Sequence, residues 1–160
     1  MKAYFTGPER WTVKREEQRL IDDCRFGYTE EVAKALDAGV NINVWDSDGW
    51  APLHIACLHG YADLVRLLIE KGADANVRTM NEWVHTPLHI ACRYNGVPAV
   101  RLLLEKGADP NVRDKDGRTP LDLTLSYRPD NPAREEIIGL FSKYAPDLVM
   151  EIWCTMEVRP

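Results

Sequence analysis

Residues 48–76 read DGWAPLHIACLHGYADLVRLLIEKGADAN, and residues 85–111 repeat the theme as HTPLHIACRYNGVPAVRLLLEKGADPN. The prolines near the start of each copy, Pro52, Pro87 and Pro120, stand 35 and 33 residues apart. Gly39, Gly72 and Gly107 keep step at 33 and 35, each opening one of the strings GVNINV, GADANV and GADPNV. A fixed period of this length marks an array of stacked units. Within a unit, proline suits the first turn of a helix, where its missing N–H has no intrahelical partner anyway. A second run follows, in which Leu64, Val65, Leu67 and Leu68 fall on one helical stripe. Glycine then suits the left-handed position just past the helix end. Between units, WDSDGW and RDKDGR contain Asp-Gly, the signal for a tight turn with positive φ. Each unit is thus a helix pair plus a turn, which cannot bury its apolar face alone and must stack on its neighbours.

These strings resemble the ankyrin repeat family, whose signature runs DGxTPLHxAAxxGH, then VVxLLLxxGAD, then xN. The resemblance covers residues 44–124 closely, with DGRTPLDL beginning a further copy, and extends over roughly 16–148. It implies an all-α ankyrin-repeat solenoid of stacked helix-turn-helix units with β-turn fingers. The expected division is an N-terminal extension over 1–15, repeats over about 16–45, 46–78, 79–113 and 114–148, and a C-terminal extension over 149–160. LIDDCRFGYTEEVAKALDAGVNIN, residues 20–43, reads as a first repeat without its TPLH half.

Departures from the signature carry information. Ala51 replaces the threonine whose hydroxyl caps the first helix of repeat two, a loss of about 1 kcal/mol. Asn95 stands for glycine in repeat three and tolerates a left-handed backbone. The preceding finger, RTMNEWVHTP, is two residues longer than its neighbours and lacks Asp-Gly, so it is expected to protrude or to turn differently. Asp122 replaces histidine in the last repeat, where YRPDNP lengthens the connection and Asn131 before Pro132 suits a helix start.

The paired motifs APLHIAC and TPLHIAC place a His and a Cys three apart, twice, which raises zinc as a possibility. The family resemblance instead implies that His54 and His89 bond the turn and neighbouring backbone, with Cys57 and Cys92 packed as small hydrophobes. Cys24 shares their column. Stacked helices lie about 10 Å apart, which exceeds the 7 Å Cα limit for a disulfide and keeps adjacent His/Cys pairs from converging on one metal. Neither metal nor cofactor is expected. Carboxylate pairs such as Asp46 and Asp48, or Asp114 and Asp116, belong to turns, and no phosphate loop, nucleophile elbow or zinc-protease motif is present. A metal-dependent enzyme is therefore the least favoured class.

Composition is ordinary for a soluble globular protein. The chain has 160 residues, 45% hydrophobic and 28% charged, with a mean hydropathy of −0.35. A net charge of −5 argues against a nucleic-acid or anionic-membrane partner, which needs a basic surface. With no apolar signal-like start, no run near 18 apolar residues and four cysteines, the expected compartment is the cytosol.

In the family, the two positions before the GH glycine face a concave groove. Here they are Arg25 and Phe26, Leu58 and His59, Arg93 and Tyr94, then Ser126 and Tyr127. The finger column gives Trp45, Arg78 and Arg113. Before the proline dipeptide stand Trp50, His85 and Arg118, and the long finger adds Met80 and Trp83. Trp, Tyr and Arg dominate interface hot spots. From Arg78 to Arg118, seven Lys or Arg face five Asp or Glu, so the expected partner is a protein presenting acidic and apolar groups to repeats two to four. Residues 150–159, MEIWCTMEVR, alternate with Ile152, Cys154, Met156 and Val158 on one side, a strand period. That tail, with KAYFT near the start, is expected to cap the end repeats, with dimerisation through the tails as the alternative; a monomer is favoured.

Overall fold

The computed structural model describes residues 15–94, 96–126 and 131–157, the last three by backbone alone. Among the described residues there are nine helices and no strand: α1 (Arg15–Phe26), α2 (Thr29–Asp37), α3 (Pro52–His59), α4 (Ala62–Glu70), α5 (Pro87–Arg93), α6 (Val97–Glu105), α7 (Pro120–Ser126), α8 (Ala133–Tyr144) and α9 (Pro146–Glu157). Helices α1, α3, α5 and α7 stack as an inner row, and α2, α4, α6 and α8 as an outer row. The all-α solenoid expected from the repeats is what forms.

Proline opens α3, α5 and α7, as the missing amide allows. Inner helices α3 and α5 are short and largely apolar, whereas α1 is longer and buries only Leu20, Ile21 and Cys24. All six residues from Pro52 to Cys57 are buried, because α3 is covered by α1, α4 and α5 together. The outer helices are amphipathic: α4 buries Leu64, Val65 and Leu68 and exposes Arg66 and Glu70. Each such leucine contributes about 1.5–3 kcal/mol of burial. Gly72 and Gly107, just past α4 and α6, take φ of 93° and 85°, as their positions require.

The C-terminal strand reading is corrected. Residues 150–157 belong to α9, which packs on α8 and runs across the expected boundary at residue 148. The apolar pattern that decides the matter starts earlier: Leu148 and Val149 are buried and Ile152 is half-buried, a helical stripe that outweighs the alternation further on. Met150 and Trp153 consequently face solvent, Trp153 at 58% exposure. Val158 and the KAYFT segment lie outside the described residues, as does Asn95. Asn131 starts its helix as expected, its Oδ1 accepting the Ala133 amide at 2.9 Å.

Candidate functional site: fingers and concave face

A histidine three residues into each motif bolts an inner helix to the next finger. The Ala51 amide donates to His54 Nδ1 at 3.2 Å, which fixes that nitrogen as an acceptor and leaves the proton on Nε2. Nε2 donates in turn to the His85 carbonyl at 3.0 Å. One repeat on, His89 Nδ1 accepts the Thr86 amide at 3.2 Å and lies 2.8 Å from the Thr86 hydroxyl, while Nε2 donates to the Arg118 carbonyl at 3.1 Å. Burial holds both imidazoles down at about 4. Ala51 has no hydroxyl to offer α3, whereas the Thr86 hydroxyl accepts from the His89 amide. At the end of the array, Asp122 Oδ2 accepts from both the amide and the hydroxyl of Thr119 at 2.7 Å.

With both ring nitrogens of His54 and His89 engaged by protein groups, neither side chain offers a lone pair to a metal. Cys24, Cys57 and Cys92 are buried free thiols, and burial pushes Cys24 and Cys92 up to about 12 and Cys57 higher still. Protonated thiols are poor ligands. Among the described residues no three His, Cys, Asp or Glu side chains gather in a group that could hold a metal ion.

The fingers are built around a buried aspartate. In finger two, Asp46 Oδ1 accepts the amides of Asp48 and Trp50 at 2.9 and 2.8 Å, and Oδ2 accepts the Arg25 guanidinium from α1 at 2.6 Å. In finger four, Asp114 Oδ1 accepts the amides of Asp116 and Arg118, both at 2.9 Å, and Oδ2 accepts Arg118 Nε at 3.1 Å. Burial works to raise the Asp114 carboxyl, but the Arg118 amide and guanidinium and the Asp116 amide prevail and hold it below the usual carboxylate range.

Finger three is different, as its sequence suggests. Thr79 occupies the aspartate column, its hydroxyl accepting the His85 amide at 2.9 Å. Val84 occupies the glycine column and still takes φ of 55°, against 79° at Gly49 and 78° at Gly117. A β-branched residue is strained there. Neighbouring fingers hold the turn: the Met80 amide donates to the Gly49 carbonyl at 2.8 Å and Asn81 Nδ2 to the Asp48 carbonyl at 3.3 Å. On the other side the Lys115 amide donates to the Trp83 carbonyl at 3.3 Å. A Cβ at Gly49 would stand 2.8 Å from the Asn81 amide nitrogen, so only glycine permits this approach.

The expected contact residues divide into three groups. Phe26, His59, Arg78, Met80, Trp83, Tyr94 and Arg113 are exposed, with Met80 at 55%. Trp83 also carries the Lys115 ammonium 3.9 Å from its ring centroid. Trp45, Trp50, Leu58, Arg93 and Arg118 are half-buried. Trp45 Nε1 donates to the Arg78 carbonyl at 3.2 Å, Trp50 sits edge-on to His54 at 6.1 Å, and Arg118 pairs with Asp114 and Asp116, so these three knit the scaffold.

His85 is corrected: it is interior, 3% exposed, stacked on Trp83 and His89 at centroid distances of 6.2 and 5.5 Å. Its Nε2 lies 3.5 Å from Asp114 Oδ2, too far for a good hydrogen bond, and burial outweighs that carboxylate in lowering its pKa. Tyr127 lies outside the described residues. Two aromatics of this face escaped the column reading, Tyr28 and Tyr61, although RFGYT and LHGYA place each directly after a glycine.

Comparison with known proteins agrees with this architecture. A family model described as ankyrin repeats (3 copies) matches residues 20–79, and another described as ankyrin repeats (many copies) matches 81–123. An ankyrin repeat-containing protein of Schizosaccharomyces pombe is 42% identical over 52 residues, 32% of this chain and 25% of that protein. Protein phosphatase 1 regulatory subunit 27 of Mus musculus is 48% identical over 48 residues, 30% of this chain and 31% of that protein. Protein fem-1 homolog C of Homo sapiens is 36% identical over 59 residues, 37% of this chain and 10% of that protein. The chain thus matches less than a third of the length of each. With the two models covering the repeats between them and the repeat geometry described above, the chain belongs to the ankyrin repeat family.

Proposed function

We propose that this chain is a non-catalytic adaptor or regulator that binds a partner protein through its fingers and concave face, with repeats two to four meeting acidic and apolar groups. Ankyrin repeats are generally protein-interaction modules. One observation carries the reading for this chain. Among the described residues, every exposed large apolar side chain outside α9 lies on a finger or around the turn after an inner helix: Phe26, Tyr28, Met80, Trp83 and Tyr94. The outer helices expose none, as expected for a solvated back and a working front. Rigid repeats present such a surface with little ordering cost. A relative named as a phosphatase regulatory subunit fits a regulatory role. The cytosol is the compartment we favour, and three buried free thiols fit a reducing one.

The test is affinity capture from native lysate with the intact chain and with Trp83→Ala, Arg93→Ala and Tyr94→Ala combined, melting temperature serving as the folding control. A partner retained by the intact chain and lost by the folded triple variant is expected. Equal capture by both rejects this placement. Exposed Met150 and Trp153 on α9 favour a second reading, self-association through the C-terminal helix. Light scattering separates the two, since that reading requires a dimer mass that Met150→Lys with Trp153→Lys converts to monomer.

A further inference from the structure

Repeats one and two carry a surface unlike that of the fingers after them. Phe26 stacks on Tyr28 across Gly27, with ring centroids 5.7 Å apart and planes at 26°. His59 stacks on Tyr61 across Gly60 in the same way, at 5.5 Å and 21°. The two pairs are joined, because a Cβ on Gly27 would stand 3.0 Å from the Tyr61 ring: the tyrosine of repeat two lies over the glycine of repeat one. The result is a continuous aromatic ladder in which Phe26 (67%), Tyr28 (55%) and His59 are exposed and Tyr61, packed on the core, is half-buried. It stops at repeat three, where Gly96 replaces the second aromatic.

The ladder sits in the acidic part of the molecule. Between residues 15 and 77 there are twelve Asp and Glu against six Lys and Arg. Four of those six cations, Arg19, Arg25, Lys34 and Lys71, are matched to a carboxylate each, so the excess negative charge is largely unopposed. Glu30 and Asp63, both exposed, stand in the helical turn directly after Tyr28 and Tyr61. Exposed Phe and Tyr ring faces within a helical turn of carboxylates suit a planar cation, which stacks on the ring and bonds the carboxylate with its edge.

We propose that this ladder docks an extended, arginine-bearing segment of a partner protein, with one guanidinium on each aromatic pair. Successive repeats lie about 10 Å apart, one helix diameter. A polyproline II strand rises about 3.1 Å per residue with three residues per turn, so side chains three apart share a face about 9 Å apart. The ladder therefore selects arginines at i and i+3 in such a strand. This site, at the turns after α1 and α3, is separate from the basic stretch between Arg78 and Arg118 and takes a segment of the opposite charge.

The test is fluorescence anisotropy with the labelled peptide (Arg-Pro-Pro)4 against the full chain, with (Ala-Pro-Pro)4 and (Glu-Pro-Pro)4 alongside. Only the arginine peptide is expected to bind, and more weakly as salt rises from about 50 to 300 mM. Phe26→Ala with Tyr28→Ala lowers affinity about tenfold, the loss of one cation–π platform and its neighbour. Glu30→Gln with Asp63→Asn, which disturbs no packing, lowers it about threefold and flattens the salt dependence, keeping the question open to refutation if the aromatic variant fails to fold. Arg101→Gln with Glu136→Gln, a charge-neutral change on the outer helices, leaves it unchanged. Binding of the alanine or glutamate peptide as tightly as the arginine one, or affinity untouched by both ladder variants, overturns the proposal, as does a dimer mass abolished by Phe26→Ala with Tyr28→Ala.

Discussion

Fingers two and four organise their turns around a buried aspartate, and finger three leans more on its neighbours. In the first two a buried aspartate gathers two amides of its own turn, and a glycine supplies the left-handed residue before the helix cap. In finger three a threonine replaces the aspartate, a valine replaces the glycine, and two further residues enlarge the loop. It keeps the paired bonds between Thr79 and His85 and the Trp83 amide on Asn81 Oδ1, and adds bonds outward, to Gly49 and Asp48 on one side and from Lys115 on the other. A finger can break the local rules when flanked by two that obey them. The enlarged turn is also where Met80 and Trp83 come to the surface.

That contrast can be broken most severely with acid. His54 clamps finger three and His89 clamps finger four, both with pKa values near 4 in the fold against 6.5 in the unfolded chain. Between these limits the unfolded chain binds protons that the folded chain refuses. Stability conferred by the neutral pair is therefore complete above pH 6.5 and falls as pH drops toward 4. Urea unfolding at pH 7 and 4.5 should show a loss on the order of 5 kcal/mol, about halved in His89→Gln. A curve flat across that window would mean the two clamps do not exclude protons.

Asp114→Ala strips finger four of its organiser, leaving two amides and the Arg118 guanidinium without their shared acceptor. The expected cost is about 3 kcal/mol, against about 1 kcal/mol for Thr79→Ala in finger three, which has one side-chain bond to lose. Equal losses in denaturant titrations would erase the distinction between turns organised by an aspartate and one that leans on its neighbours. The smallest effect sharpens it: Val84→Gly relieves the left-handed strain and, after the entropy cost of glycine, raises stability by about 0.5–1 kcal/mol. A destabilised Val84→Gly would show that the side chain's packing outweighs its backbone strain.

Much of the fold was legible because helix-start prolines, helix-end glycines and Asp-Gly turns recur in step. What escaped depends on what stands across from a residue. His85 shares a column with Trp50 and Arg118, yet Trp83, His89 and Asp114 close over it, and no column reports its opposite wall. In α9 the window beginning at Met150 alternates, but Leu148 and Val149 just before it had already chosen the helix. Tyr28 and Tyr61 were passed over because the family pattern directs the eye to the residues before the glycine, not after it.

Asp122 draws a further consequence from the bolts. Its carboxylate closes the cap of its own helix as His54 and His89 do, but it has no second nitrogen with which to reach onward. The chain of bolts from inner helix to following finger thus stops at α7 among the described residues. Asp122→His would restore a ring whose second nitrogen could reach a following finger, as His54 and His89 do.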